Sequence, residues 1–162
     1  MVTTSDIYYY FAFKSYGKMS SIKTQGLALL AEGLSLSVLG KDIVPDIKFS
    51  ITKYGLYCKE ISDTHKMNRQ SATEKFGDKD ERNKMYKYLK VFSYQSRQCL
   101  DAVYNKYSKM NLKEFREFIE KSDPYQEALS RSNGSTVNIN LNILKKWADK
   151  NLAELGKNID PE

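Results

Sequence analysis

The spacing of apolar and polar residues near the start of the chain predicts a short helix. Apolar residues recur at helical spacing over residues 7–14, and Thr4 or Ser5 can cap the start of this helix with a side-chain oxygen. Tyr16-Gly17 follows, and glycine readily adopts the left-handed conformation that ends many helices. We therefore expect the first helix to end before the chain reaches its next serine pair.

A second helix is predicted after the Ser20-Ser21 pair and runs to about residue 39. Its apolar residues fall on almost every face, which is typical of a helix at the centre of a core. Gly26 and Gly33 each cost about 1 kcal/mol relative to alanine in a helix. Close approach of a neighbouring helix is favoured over a ligand as the reason for them. Glu32, between them, is expected to reach solvent, a lysine or a tyrosine, and a carboxylate with a shifted pKa is the alternative.

Beyond Gly40 the pattern changes from a helical period to a period of two. Residues 47–52 alternate apolar and polar side chains, which predicts one half-buried strand, while the strand that pairs with it is not evident. Residues 62–80 are polar, mixed in charge and include Gly77. We interpret this stretch as a loop, with a short helix inside it as the alternative.

The second half of the chain is predicted to be helical. A stripe of apolar residues extends from Met85 to Tyr107, with an interruption near residues 91–93. Three further helices open at capping residues or at a cap followed by proline, namely Asn111, Asp123-Pro124 and Asn140. The pattern ends at Gly156. We therefore predict a mainly α fold with a small β element, one domain over residues 1–156 and a loose tail over residues 157–162.

Composition and charge narrow the class of protein. The chain has 162 residues, of which 41% are hydrophobic and 28% charged, as in a folded globular domain. The net charge of +6 favours an anionic partner such as nucleic acid, although most basic residues alternate with acidic ones, as on a solvated surface. No segment resembles a signal peptide or a membrane span, and Cys58 and Cys99 lack metal-ligand spacing. We predict a cytoplasmic protein with reduced thiols and no membrane partner.

The sequence carries no pattern typical of a catalytic site. His65 is the single histidine, and its neighbours Ser62 and Asp63 are too close in sequence to be taken as a catalytic triad. Phosphate-loop, dinucleotide-binding and zinc-binding patterns are missing as well. We therefore expect no catalytic, cofactor-binding or metal-binding residues and a protein that is not an enzyme. An enzyme with an unrecognised site is a distant alternative.

Tyrosine is the most distinctive residue type, with twelve in the chain. Tyrosine is enriched at protein interfaces because it supplies a large contact area. It can also stack on single-stranded bases, and lysines and tyrosines are interleaved at residues 84–90. A third interpretation is that the tyrosines half cover the core. The residue type alone leaves all three open.

Several short patches occur in a fixed order along nearly the whole chain. They are Lys23 and Gln25 with residues 31–41, Lys53-Tyr54-Gly55, Tyr107-Ser108, and Pro124-Tyr125 with Ala128. In that order they resemble the Panacea domain, a family of small bacterial and phage proteins best known as antitoxins. The chain departs from the family pattern at Thr52, where tryptophan is usual, and at Leu56-Tyr57, where Pro-Val is usual. We therefore expect a divergent member.

The resemblance implies a compact, mostly helical domain that neutralises a toxin by direct binding, while one branch of the family acts as a proteolytic adaptor. The partner would be a cognate protein toxin, or a defence or host protein if the gene belongs to a phage or mobile element. A basic nucleic-acid-binding or regulatory protein is the alternative. Two family patches coincide with aromatic residues and turns, and aromatic anchors usually dominate an interface. The expected partner-binding residues are therefore Lys53, Tyr54, Tyr57, Pro124 and Tyr125. The competing interpretation is that these residues only hold the strand against the helices.

Overall fold

The computed structural model describes residues 1–68 and 76–160, apart from the side chain of Tyr88. In chain order the elements are α1 Thr4–Ser15, α2 Ser21–Leu39, β1 Ser50–Thr52, β2 Gly55–Tyr57, α3 Lys59–Asn68, α4 Lys79–Leu89, α5 Tyr94–Tyr107, α6 Leu112–Glu120, α7 Asp123–Ser132, β3 Val137–Asn138, α8 Leu141–Asn151 and α9 Ala153–Gly156. The prediction of a mainly α fold with a small β element is confirmed.

The first helix begins one residue earlier than the sequence pattern predicts. Thr3 is the capping residue: its hydroxyl accepts a hydrogen bond from the Asp6 N–H, and the Asp6 carboxylate accepts one from the Thr3 N–H. This reciprocal pair satisfies two backbone donors that a helix start otherwise leaves open. At the other end, Tyr16 and Gly17 both adopt positive φ values, 57° and 75°, so α1 ends where predicted.

Helix α2 lies at the centre of the fold and begins after Ser20, whose side chain caps it as predicted. A Cβ atom at Gly26 would lie 2.8 Å from Phe115 Cζ and closer still to Cε2, and one at Gly33 would lie 3.1 Å from Leu144 Cδ1. Helices α6 and α8 therefore approach α2 at its glycines, which confirms the predicted reason for them. Ile22, in the first turn, is exposed instead of buried.

Two polar side chains in the first half of α2, Lys23 and Gln25, hold other segments in place. The Lys23 ammonium donates hydrogen bonds to the carbonyls of Ser108, at 2.7 Å, and Met110, just beyond α5. The Gln25 side-chain oxygen accepts a hydrogen bond of 2.6 Å from the buried Cys58 N–H, which follows β2. A central helix with these donors and acceptors fixes the start of the α5–α6 connection and the end of the hairpin.

The expectation that Glu32 reaches solvent, a lysine or a tyrosine is wrong. Glu32 is completely buried, and its two carboxyl oxygens accept hydrogen bonds from the N–H groups of Ile43, at 3.0 Å, and Val44, at 2.9 Å. Burial raises the pKa of the Glu32 carboxyl to about 8, although the two backbone hydrogen bonds act in the opposite direction. The partners of the Glu32 side chain are therefore backbone groups of the loop that follows α2.

The sheet has three short antiparallel strands in the order β2-β1-β3. Ser50 pairs with Tyr57 in β2 and with Asn138 in β3. Only the last part of the predicted strand at residues 47–52 belongs to the sheet, while Ile47 and Phe49 are buried in the segment before it. The partner β3 comes from the far end of the chain, so local sequence could not reveal it.

For the first part of residues 62–80, the structure agrees with the alternative of a short helix and not with the loop. Residues 62–68 belong to α3, which lies against α1. Polar contacts support the helix: the Thr64 hydroxyl donates to the Glu60 carbonyl at 2.6 Å, and the Asn68 amide donates to the Thr64 carbonyl at 2.8 Å. Because few apolar residues mark its buried face, the helical period is hard to detect. Residues 69–75 lie outside the described residues.

The later helices follow the predicted pattern with small shifts. The stripe from Met85 to Tyr107 is divided between α4 and α5, and Ser93 caps α5 at the predicted interruption. Ser122, not Asp123, is the residue that caps α7, so Pro124 occupies the second helical position. The predicted loose tail packs at its start, because Ile159 is buried and the Asp160 N–H donates to Gln98 Oε1 at 3.1 Å. Residues 161–162 lie outside the described residues.

Among residues 1–68 and 76–160, none of the helices combines the length and the apolar character that crossing a bilayer requires.

Candidate partner-binding surface

The tight turn between β1 and β2 presents a tyrosine to solvent. The Thr52 hydroxyl accepts a hydrogen bond of 3.1 Å from the Tyr54 N–H and donates one of 3.2 Å to the Gly55 carbonyl. Gly55 has a φ of 110°, a conformation that other residues rarely adopt, so glycine is required there. Tyr54 stands at the tip with 80% of its surface exposed, and Lys53 Nζ lies 5.0 Å from the centre of its ring.

The hairpin is fixed on both sides, so the turn is not a free loop. On one side β1 pairs with β3, and on the other the Cys58 N–H is held by Gln25. Ile51, opposite Leu56 in the register, is buried in the core. The backbone that carries Lys53 and Tyr54 therefore has a defined position relative to α2.

Pro124 and Tyr125, at the start of α7, are buried and do not lie on the open surface. Tyr125 is only 7% exposed, and burial raises the pKa of its phenol. Its hydroxyl oxygen lies below the turn, 3.8 Å from the position that a Cβ atom at Gly55 would occupy. Pro124 supports the first turn of α7 behind it. These two residues are thus positioned to support the hairpin from beneath.

A groove runs beside the hairpin between α2, α6 and α7. Its narrow part has a volume of about 40 Å³, and a wider depression of about 720 Å³ opens toward the end of α7. Arg116 and Glu120 lie along both parts, with Arg116 Nη2 3.8 Å from Glu120 Oε1. We call the groove and its rim the hairpin surface; it consists of Ile22, Lys53, Tyr54, Leu56, Arg116, Glu120, Tyr125 and Leu129.

The structure brings three of the five predicted residues to the hairpin surface. Lys53, Tyr54 and Tyr125 line the same depression. Pro124 is buried and lines neither part of the groove, and Tyr57, in β2, is half-buried and also outside it. Lys53 and Tyr54 are therefore exposed at the turn. The placement of the other three predicted residues fits a role in supporting the sheet.

Two exposed apolar residues of this surface were not anticipated. Ile22 is 45% exposed in the narrow part of the groove, and Leu129 is 46% exposed in the wider part. The sequence pattern placed Ile22 among the buried residues of α2. One signal was present: Ile22 is in the first turn of the helix, next to the polar cap, where the end of the helix can extend beyond the core. For Leu129, the isolated position in the polar second half of α7 was the corresponding signal.

The residue types considered for chemistry are placed apart. Among the described ranges 1–68 and 76–160, no group of three or more His, Cys, Asp or Glu side chains could hold a metal ion. His65 lies on α3, where its ring meets the edge of Tyr8 at a centroid distance of 6.0 Å. Cys58 and Cys99 are both buried, and burial raises the pKa of each thiol to about 12. Neither sulfur is therefore activated as a thiolate at neutral pH.

Comparison of the chain with protein-family models, with curated proteins and with solved structures gives no match.

Proposed function

We propose that this protein is a non-enzymatic toxin-neutralising protein that binds a cognate protein in the cytoplasm through the hairpin surface. The observation that supports the proposal is Tyr54, an 80% exposed aromatic side chain on a backbone fixed by hydrogen bonds on both sides. An exposed aromatic ring on a fixed backbone can be buried by a partner at a small entropic cost, and such rings often anchor protein interfaces.

The composition of the hairpin surface fits a protein partner better than a small molecule. Volume does not decide between the two, because the narrow part, about 40 Å³, is below the roughly 300 Å³ of a small-ligand pocket while the wider part, about 720 Å³, is not. The exposed apolar residues Ile22, in the narrow part, and Leu129, in the wider part, extend the contact area on either part of the groove. Lys53 adds positive charge at the rim, where Arg116 is paired with Glu120, and opposite charge on a partner speeds association. An aromatic centre with a charged rim is the usual composition of protein interfaces.

The resemblance to Panacea antitoxins supports the choice of a toxin as the partner. Lys53-Tyr54-Gly55 is one of the patches that carries this resemblance, and Tyr54 and Lys53 are its exposed members. We propose that the chain is a divergent member of that family and that its partner is a toxin, or a defence or host protein, whose active surface it covers. Such a protein acts stoichiometrically and needs no catalytic residue of its own.

The first experiment captures the tagged protein from its native cells after nuclease treatment, at moderate and at high salt, and identifies what remains bound by mass spectrometry. The proposal predicts one protein at near-equal stoichiometry that survives high salt. Expression of that protein alone should arrest growth, and co-expression of the wild-type chain should restore it. The Tyr54→Ala variant should fail to restore growth, because truncating an aromatic interface anchor costs about 2 kcal/mol or more of binding free energy.

Met67→Ala is the matched control, because Met67 is also exposed, at 82%, but lies on α3 outside the hairpin surface. It should restore growth as the wild type does. The proposal is wrong if Tyr54→Ala neutralises as well as Met67→Ala, or if only nucleic acid is recovered and is lost at high salt. That second result would favour the nucleic-acid-binding alternative.

A further inference from the structure

A second cavity, separate from the hairpin surface, opens between α1, α4 and α5. It has a volume of about 300 Å³, which is within the range of small-ligand pockets. None of its residues belongs to the hairpin surface. We call it the aromatic–basic cleft; it is lined by Tyr10, Phe13, Lys14, Tyr86, Leu89, Lys90, Tyr94, Arg97, Gln98 and Asp101.

The charges of the cleft do not balance. Its single carboxylate, Asp101, is matched by Lys14, whose ammonium lies 2.6 Å from Asp101 Oδ1, and it also accepts a hydrogen bond from the Tyr10 hydroxyl. The other two cations are Lys90 and Arg97. Within the described part of the chain, neither of them forms an ion pair with a carboxylate. The cleft therefore presents two positive charges without a matching acid.

Arg97 is the most unusual of these residues. Its Nε atom is buried from solvent and has no hydrogen-bond partner among the described residues. A buried donor without an acceptor is rare in folded proteins because desolvation is not compensated. A guanidinium is also a planar group of donors that fits the oxygens of a phosphate. An anion bound in the cleft that Arg97 lines would give this cation the opposite charge that the protein does not supply, and it would reach the buried Nε only if the Arg97 side chain moved.

Tyrosine rings provide the second kind of contact in the cleft. Tyr86 and Tyr94 are each about half exposed, although they lie beside the buried Leu89. Lys90 Nζ lies 5.9 Å from the centre of the Tyr86 ring, which places a cation next to an aromatic face. Planar rings stack favourably on exposed tyrosines, and each stacked base contributes about 1–3 kcal/mol. A ligand with both a planar ring and an anionic group would use both features of the cleft.

We propose that the aromatic–basic cleft binds a nucleoside phosphate, with the base against Tyr86 or Tyr94 and the phosphate at Arg97 and Lys90. The volume of the cleft accommodates about one nucleotide. An extended single strand would need a groove that follows several nucleotides. The nucleotide is either free in solution or the phosphorylated end of a nucleic acid, since both offer the same base and phosphate. This site is independent of the hairpin surface and of the function proposed for it.

The test is isothermal titration of the full-length protein with AMP, adenosine and inorganic phosphate. We expect AMP to bind at least about tenfold more tightly than either of the other two, because only AMP offers both the ring and the phosphate. Arg97→Lys keeps the charge but loses the planar fork, and should weaken AMP binding by about fivefold or more. Tyr94→Ala should weaken AMP binding by a similar factor without affecting the binding of phosphate.

Lys90→Ala and Lys87→Ala form the matched pair for charge. Both remove one exposed lysine from the same part of the chain, but only Lys90 lines the cleft. AMP affinity should fall in Lys90→Ala and stay unchanged in Lys87→Ala. Circular dichroism of each variant identifies any that fails to fold. Equal losses in the two lysine variants would overturn the proposal, as would absence of AMP binding, equal affinity for AMP and phosphate, or full affinity in both Arg97→Lys and Tyr94→Ala.

A 5′-phosphorylated oligonucleotide of about ten nucleotides separates the two sources of the ligand. If it displaces AMP and binds more tightly, the cleft recognises the end of a nucleic acid. If the oligonucleotide displaces bound AMP less effectively than added AMP does, the cleft recognises a free nucleotide. Both results support the cleft as a nucleoside phosphate site. If the oligonucleotide binds only outside the cleft, AMP stays bound. The titrations of the wild type and the variants with AMP then support or overturn the proposal.

Discussion

Helix α2 and the β1–β2 turn both carry residues on which the proposed Panacea resemblance rests, but the fold explains them to different degrees. Lys23 and Gln25 of α2 form hydrogen bonds to the backbone of other segments, at Ser108 and Cys58. In the turn, the Tyr54 N–H donates to the Thr52 hydroxyl, while the Tyr54 ring extends into solvent with Lys53 Nζ 5.0 Å from its centre. Residues of one proposed pattern thus serve packing in one region and are exposed in the other.

The difference shows which pattern residues can report on function. Where a side chain is fully used by the fold, as at Gln25, its presence needs no partner to explain it. Where a large aromatic side chain contributes little to packing, as at Tyr54, packing does not explain why that residue is present. The comparison predicts that substitutions in α2 lower stability, whereas substitutions at the turn leave stability unchanged and affect binding.

The largest expected effect on the α2 side is that of Gly26→Ala. The added methyl group would overlap the Phe115 ring, which is buried and in contact with Tyr107, so the ring has little room to move. We expect a loss of about 3 kcal/mol in the free energy of unfolding, measured by urea denaturation. Gly33→Ala is the control, because Leu144 is flexible and alanine favours the helix by about 1 kcal/mol. A Gly26→Ala variant as stable as Gly33→Ala would show that α6 does not pack on α2 as described.

A smaller effect on the same helix is the pH dependence that Glu32 contributes. Its pKa is about 8 in the folded protein, against 4.5 for the ordinary side chain, so between these pH values the folded state holds a proton that the unfolded state has released. Its contribution is therefore complete below about pH 4.5 and is lost as the pH rises toward 8. We expect the free energy of unfolding to fall by on the order of 2 kcal/mol from pH 5 to pH 7.

Denaturation of Glu32→Gln at the same pH values tests this expectation, because the amide does not titrate. The variant should be less stable than the wild type at pH 5, since one of the N–H groups of Ile43 and Val44 loses its acceptor. Its decline with pH should be flatter. Glu114→Gln, at an exposed position on α6, should keep the wild-type slope. Parallel profiles for Glu32→Gln and the wild type would count against a protonated Glu32 in the folded protein.

The smallest expected effect on stability is that of Tyr54→Ala. Because the ring is exposed and contributes little to the core, the free energy of unfolding should change by less than about 0.5 kcal/mol. Thermal unfolding followed by circular dichroism measures the change. Tyr125→Ala is the contrasting variant, since Tyr125 is buried beneath the turn and its loss should destabilise the protein by about 3 kcal/mol. Similar destabilisation by the two variants would remove the distinction between the turn and its support.

The sequence was informative where apolar spacing determines structure and less so where polar groups do. The central position of α2, the glycine contacts and the break before Ser93 all follow from spacing and caps, and the structure confirms them. Helix α3 was predicted only as an alternative to a loop, because its Thr64 and Asn68 contacts leave no clear apolar stripe. Glu32 was misjudged because its partners are backbone N–H groups, which every residue but proline has.

The candidate surface could be predicted only in part, for a related reason. Lys53-Tyr54 follows from a turn next to a strand, and this pair is exposed as expected. Pro124 and Tyr125 were expected at the surface because a patch of the Panacea resemblance coincides there with an aromatic residue and a turn, yet α7 packs against β1 and buries them. Ile22 and Leu129 join the same surface from distant parts of the chain. Such convergence depends on tertiary packing and has no local signature.

The pairing of β1 with β3 also bears on the time at which the protein becomes active after synthesis. Ser50 pairs with Asn138, so the sheet is completed only when most of the chain has been made. The hairpin surface likewise draws on α2, α6 and α7, the last of which ends at Ser132. At translation rates of about 5–20 residues per second, the interval between synthesis of β1 and of β3 lasts several seconds. We therefore expect a nascent chain to acquire the hairpin surface late, so that a fragment released early would lack it.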